Sequence, residues 1–147
     1  MLIFNSEGGL LVQKRSDDKI TFPSVWANTC CSHPLDIPDE NGDVVTGVVN
    51  AAKRKLHQEL GISEGQLSEI ELRHLGSFLY ECRWDADWIE REVDHVLVAI
   101  ADGIEVDPNP NEISSTKWVA GPEIADMMRG DGFWEDQIVA PLSLIHI

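Results

Sequence analysis

A chain of 147 residues, 43% hydrophobic and 25% charged, is long enough to bury a core and reads as a single globular domain. Its formal net charge of −15, from 26 acidic residues against 11 Lys and Arg, argues against nucleic acid as a partner, because phosphate binding needs a basic face. No apolar run approaches membrane-spanning length and no signal-peptide pattern precedes Leu10, so a cytoplasmic location without membrane contact is expected, with the three cysteines reduced.

In chain order, residues 1–4 are apolar and read as a strand, residues 5–9 as a turn, and Leu10–Arg15 as a second strand that closes a hairpin. Arg15 and Lys19 flank the polar loop 16–18; two solvated surface cations are the ordinary fate there. An apolar connector, 22–26, then leads into Asn28-Thr29-Cys30-Cys31-Ser32-His33-Pro34. If this stretch is extended, Cys31 and His33 point to the same side. Both side-chain types ligate metals and move protons near neutral pH. A small core thiol and a satisfied loop histidine fit the same residues equally well.

Residues 36–43 contain Pro38, Gly42 and four acids and read as a loop. Over Val44–Leu60 the residues Val45, Val48, Val49, Ala52, Leu56 and Leu60 recur at helical spacing and predict a buried stripe. Asp43 suits the N-cap and Gly61 the C′ position. Cations crowd the last turns, as the helix dipole favours, but Glu59 opposes it. Residues 69–80 read as a strand ending on Tyr80, 81–88 as a turn-like connector, and 90–101 as the clearest strand. Glu90 and Glu92 lie at i, i+2 on that strand and share a face, where carboxylates repel unless a cation sits between them. A turn at 107–112 precedes a strand at Ile113–Val119, and Pro122 opens a helix to about 128, broken by Gly130 and Gly132. This order predicts an α+β or mixed-sheet sandwich fold with one long central helix and a second near the C-terminal end.

Together these residues resemble the type 1 isopentenyl-diphosphate isomerases, a branch of the Nudix fold, along nearly the whole chain. The resemblance rests on Gln13-Lys14-Arg15-Ser16, Lys19-Ile20-Thr21-Phe22-Pro23, the 28–34 segment, residues 51–62 with Lys53 to Glu59, and Glu90-Arg91-Glu92-Val93-Asp94. It implies an enzyme that interconverts isopentenyl and dimethylallyl diphosphate in isoprenoid biosynthesis, by protonation and deprotonation through a carbocation. Cys31 and Glu92 are then the two proton-transfer residues, on opposite faces of the double bond, and Tyr80 hydrogen-bonds the glutamate. His33, Glu90 and Glu92 hold a divalent metal (Mn²⁺, Zn²⁺ or Mg²⁺), and Glu59 with the Cys31 carbonyl holds a Mg²⁺ bridged to the diphosphate. Arg15, Lys19 and Lys55 grip the diphosphate, and Trp134 lays its indole over the hydrocarbon. The implied partner is a small-molecule diphosphate, bound by a monomer or weak dimer.

The chain departs from the family in several places. The family's two further histidines and a lysine come from a segment ahead of the first hairpin, and Lys55 stands where an arginine is common. The remnant at 54–59 lacks the paired glutamates of the Nudix hydrolases, which weighs against a hydrolase of nucleoside diphosphates. A non-catalytic Nudix-like binding module is the third reading. The tail 142–147 does not resemble the family's C-terminal helix and reads as non-native. A chain truncated at both ends is therefore expected, with weak metal binding and little turnover. Adding a family-like N-terminal segment with its two histidines should restore both, as metal titration and an isomerase assay would report; tight stoichiometric binding and full activity of the 147 residues alone would contradict this.

Overall fold

The computed structural model describes residues 1–83 and 85–129, the last three by backbone only; Trp84, Trp134, the break at 130–132 and the tail 142–147 lie outside the described residues. The elements run β1 (Leu2–Phe4), β2 (Leu10–Arg15), β3 (Trp26–Ala27), α1 (Pro38–Asn41), α2 (Val44–Leu60), α3 (Glu64–Glu69), β4 (Arg73–Arg83), β5 (Ile89–Ile100), β6 (Ile113–Val119) and α4 (Gly121–Arg129). This is the α+β, mixed-sheet arrangement the sequence predicts.

The six strands form one sheet in the order β3-β2-β1-β5-β4, with β6 along the other edge of β2. The β1–β2 hairpin is antiparallel, whereas β1 runs parallel to β5. Alternation along β2 decides what each face buries. Leu11 joins Ile3, Leu97 and Ala99 against Ala52, Leu56 and Leu60 of α2. Leu10 and Val12 face the other way, with Trp26, Val119 and Ile124 of α4. Helix α2 begins and ends where its caps require. Asp43 accepts from Thr46 N at 2.8 Å, and Gly61, at φ 66°, closes the C-terminus in the left-handed region.

Three sequence expectations change. Residues 36–43 are not all loop: Pro38 opens α1, a single turn too short to show a periodicity. Val45 is exposed, and the buried face of α2 includes Gly47, Ala51 and Glu59. Glu69 ends α3, a six-residue helix capped by Ser63, and β4 continues past Tyr80 to Arg83 because it pairs with β5 as far as Arg83↔Ile89. Among the described residues no helix is long and apolar enough to cross a membrane.

α1 packs on α2 through Gly47, where an added Cβ would lie 2.1 Å from the Glu40 carbonyl oxygen. Gly47→Ala is therefore expected to cost about 1–3 kcal/mol by overpacking. Urea denaturation should show this as a lower midpoint at an unchanged slope.

Candidate active site

The 28–34 segment is held without a strand ladder. Thr29, fully buried, donates through Oγ1 to Leu11 O at 2.6 Å and accepts from Ile3 N at 2.9 Å. Asn28 Nδ2 donates to Met1 O at 3.0 Å and Cys30 O at 2.9 Å, which turns its Oδ1 towards the Cys31 thiol at 3.3 Å. Further on, Arg54 of α2 donates to His33 O at 3.1 Å and clasps Glu40 of α1 through Nε at 2.6 Å and Nη2 at 2.9 Å. Glu40 Oε2 also accepts from Leu35 N at 2.8 Å. Glu40 is buried, and its contact with the Arg54 guanidinium holds its carboxyl below the usual range.

On the facing hairpin, register places Cys82 opposite Glu90, Tyr80 opposite Glu92 and Phe78 opposite Asp94, all on one face. The two halves meet where His33 Nε2 lies 2.5 Å from Glu92 Oε2. Cys31, His33, Glu92 and Asp94 line a cavity of about 730 Å³ whose walls include Val48 and Phe78. Glu90 and Tyr80 are not among its lining residues. Glu90 instead accepts from Thr21 Oγ1 at 2.8 Å. The Tyr80 hydroxyl, cross-strand from Glu92, is buried with no hydrogen-bond partner among the described residues, so the expected bond to Glu92 is not made. Burial, then the Cys82 thiol and nearby carboxylates, push the phenol well above its ordinary value.

Electrostatics divide the thiols from the acids. Burial pushes the Cys31 thiol up, and burial with Glu59 pushes Cys30 further. Asp94 is not among the site residues expected from sequence, yet burial and the neighbouring Glu92 carboxylate raise it to about 6, and its Oδ2 is buried without a partner among the described residues. The i, i+2, i+4 run Glu90-Arg91-Glu92-Val93-Asp94 is the signal that could have found it.

Each expected cation has an internal partner. Arg15 donates to Phe22 O at 2.9 Å and Thr21 O at 2.7 Å. It steadies a loop in which Phe22 and Ser24 take positive φ, a conformation that costs about 1–3 kcal/mol per residue. Lys19 is ion-paired to Glu112, and Lys55 lies 2.7 Å from Glu59. All three act on Glu112: burial would raise its carboxyl, but Lys19, then Lys55 and Arg15, hold it below the usual value. Glu59, anomalous by the dipole argument, is buried between Lys55 and the Cys30 thiol. Trp134 lies outside the described residues.

Two places bear on a metal. Glu59 Oε2 and Cys31 O lie 3.3 and 3.5 Å from Cys30 Sγ; two oxygens are donors of the type a hard ion such as Mg²⁺ takes, but here the buried thiol fills the point between them and Lys55 pairs with Glu59. The second set does not fit as it stands. Glu90 is engaged by Thr21, and among the described residues no group of three or more His, Cys, Asp and Glu side chains converges to hold an ion.

A model of the family described as NUDIX domain matches residues 1–140. The chain is 43% identical over 133 residues to isopentenyl-diphosphate Delta-isomerase I, chloroplastic, of Arabidopsis thaliana, covering 88% of this chain and 44% of that protein. It is 42% identical over 131 residues to isopentenyl-diphosphate delta-isomerase of Schizosaccharomyces pombe, covering 86% and 57%. The chain thus spans about half the length of the curated relatives it matches. Among solved structures, a protein of Deinococcus radiodurans superposes with a TM-score of 0.59 at 22% identity, over 89% of this chain and 71% of that one, a likeness of fold.

Asp94 yields a pH test. A carboxyl raised in the folded state destabilises it above the folded pKa, about 6, and this cost vanishes as pH falls through the unfolded value near 3.8. Asp94→Asn should therefore raise the Tm at pH 8, and the gain should shrink between pH 6 and pH 4.

Proposed function

This chain belongs to the NUDIX domain family, and from that premise we propose that it interconverts isopentenyl and dimethylallyl diphosphate, the activity named for the Arabidopsis and fission-yeast relatives. The observation that carries the reading is the cavity in which Cys31, His33 and Glu92 meet apolar walls. Moving a double bond by one carbon adds a proton to the terminal carbon and removes one from beyond the branch point, through a tertiary cation. Such a cation survives only where water is kept away. Walls such as Val48 and Phe78 suit that need; a hydrolase has to admit water.

Cys31 and Glu92 are the proposed proton carriers. Burial favours the protonated thiol at neutral pH, and Asn28 Oδ1 orients its hydrogen. Because the reaction runs both ways, each group donates in one direction and accepts in the other. His33 orients the Glu92 carboxylate, and Tyr80 supplies a hydroxyl across the strand pair that a substrate-loaded site can engage. Trp134 is assigned the indole that faces the cation. Arg15, Lys19 and Lys55 are the proposed diphosphate grip. The family accords with a divalent metal; Glu59 and the Cys31 carbonyl would hold a Mg²⁺, which when bound would screen the diphosphate charge. The protein is proposed to act in the cytoplasm, as a monomer or weak dimer, on a small diphosphate.

Prolonged incubation with isopentenyl diphosphate and Mg²⁺ in deuterium oxide, followed by NMR, tests it. Dimethylallyl diphosphate carrying deuterium in its new methyl group is expected. Cys31→Ala should slow its appearance by about 10²–10⁴-fold. Inorganic phosphate or pyrophosphate released in its place, unaffected by Cys31→Ala, would sink the isomerase reading.

A further inference from the structure

Glu112 closes the 107–112 turn and sits where the chain's scarce cations meet. Its Oε2 is ion-paired with Lys19 Nζ, both side chains only 28% exposed. The turn that carries it is moored on two sides. Ser16 N, on the Lys19 loop, donates to Glu112 O at 3.0 Å, and Arg15 pairs in register with the next residue, Ile113. Asn109 N donates to Glu59 O at 2.8 Å and Glu112 N to Asn109 O at 2.9 Å, which ties the same turn to the α2 turn bearing Lys55 and Glu59. The depressed Glu112 carboxyl, with Lys19, Lys55 and Arg15 all contributing, agrees with that placement.

We propose that Glu112 is an internal anion that occupies the diphosphate subsite of the empty protein, holding Lys19 in place and yielding it when a diphosphate arrives. The inference rests on the diphosphate reading above and deepens it. Charges of one sign that converge without a counter-ion repel, and flexible lysines then splay into solvent. A carboxylate among them keeps the cations gathered at the cost of competing with the ligand. A diphosphate, with more charge and more acceptor oxygens, outcompetes a single carboxylate for the same donors. Glu112 is not among the residues that line the cavity with Cys31 and Glu92, so it is a positioning residue whose effect falls on binding rather than on turnover.

Calorimetric titration of the full chain with inorganic pyrophosphate, free of divalent ions, separates this role from a merely structural one. Glu112→Gln removes the competing charge and keeps the shape; it should tighten pyrophosphate binding by about fivefold, the size of one partly exposed ion-pair competitor. Glu112→Asp, which keeps the charge, should bind like the unsubstituted chain. Weaker or unchanged binding in Glu112→Gln would overturn the proposal, because bracing the Lys19 loop, and not competing with the ligand, would then be what Glu112 does. If Glu112→Gln does not fold, the Glu112 carboxyl carbon resonance of the unsubstituted chain decides. It should move towards that of a solvated glutamate as pyrophosphate is added, and a fixed resonance at saturation would overturn the idea. A chain that binds no pyrophosphate at all would remove the diphosphate reading and this inference with it, whereas binding indifferent to Glu112 removes this inference alone.

Discussion

The Glu40–Arg54 pair is the constraint on which the site depends. A buried ion pair is tolerable only when the remaining lone pairs and hydrogens are also satisfied. Here Glu40 takes two bonds from the guanidinium and one from Leu35 N, while Arg54 also reaches the His33 carbonyl and Gln58. The result joins α1, α2 and the 33–35 strap into one unit. Gly47 lets α1 approach closely enough for the clasp to close. Without it, His33 would hang on an exposed tether, since its side chain is 84% exposed and its contact with Glu92 is the bond that crosses to the hairpin.

Opposite this clamp, the β4–β5 hairpin presents Glu90, Glu92 and Asp94 on a single face. Three carboxylates in a row repel, and the molecule relieves the repulsion in three different ways. Glu90 accepts from Thr21, Glu92 meets His33, and Asp94 is pushed towards its neutral form. The charge is distributed by partners that arrive from distant parts of the chain. A face so arranged holds a carboxylate, a protonatable acid and a buried phenol within one strand pair, next to a thiol that burial keeps protonated.

The cations show the same economy on an acidic surface. Lys19 and Lys55 each lie against a glutamate, and Arg15 spends part of its donor fork on the backbone of the loop after it. Lys55 illustrates the balance: burial would lower its pKa, but the Glu59 carboxylate outweighs this and the ammonium stays above its usual value. Charge is thereby kept paired rather than left alone in a low-dielectric setting.

What the sequence by itself determined was most of what short-range spacing governs. The extent of α2, its Asp43 and Gly61 caps, the first hairpin and the β6 strand follow from periodicity and capping, which depend on residues within a turn of one another. The i, i+2 spacings likewise brought Cys31 and His33 to one cavity, and Glu90 and Glu92 to one strand face. Tertiary structure alone decided which of those groups meet. Thr21 takes Glu90 from 69 residues away, Lys19 finds Glu112 across 93, and Arg54 clasps a Glu40 that had read as one loop acid among four. α1 and α3 carried too few turns to leave a pattern, and the i, i+2, i+4 run that puts Asp94 on the face of Glu90 and Glu92 does not tell which of the three acids loses its solvent. The physical reason is that backbone geometry repeats every few residues, whereas an ion pair depends on where the fold sets two charges. With 26 acids and 11 Lys and Arg in the chain, many pairings were open until the sheet and α2 had packed.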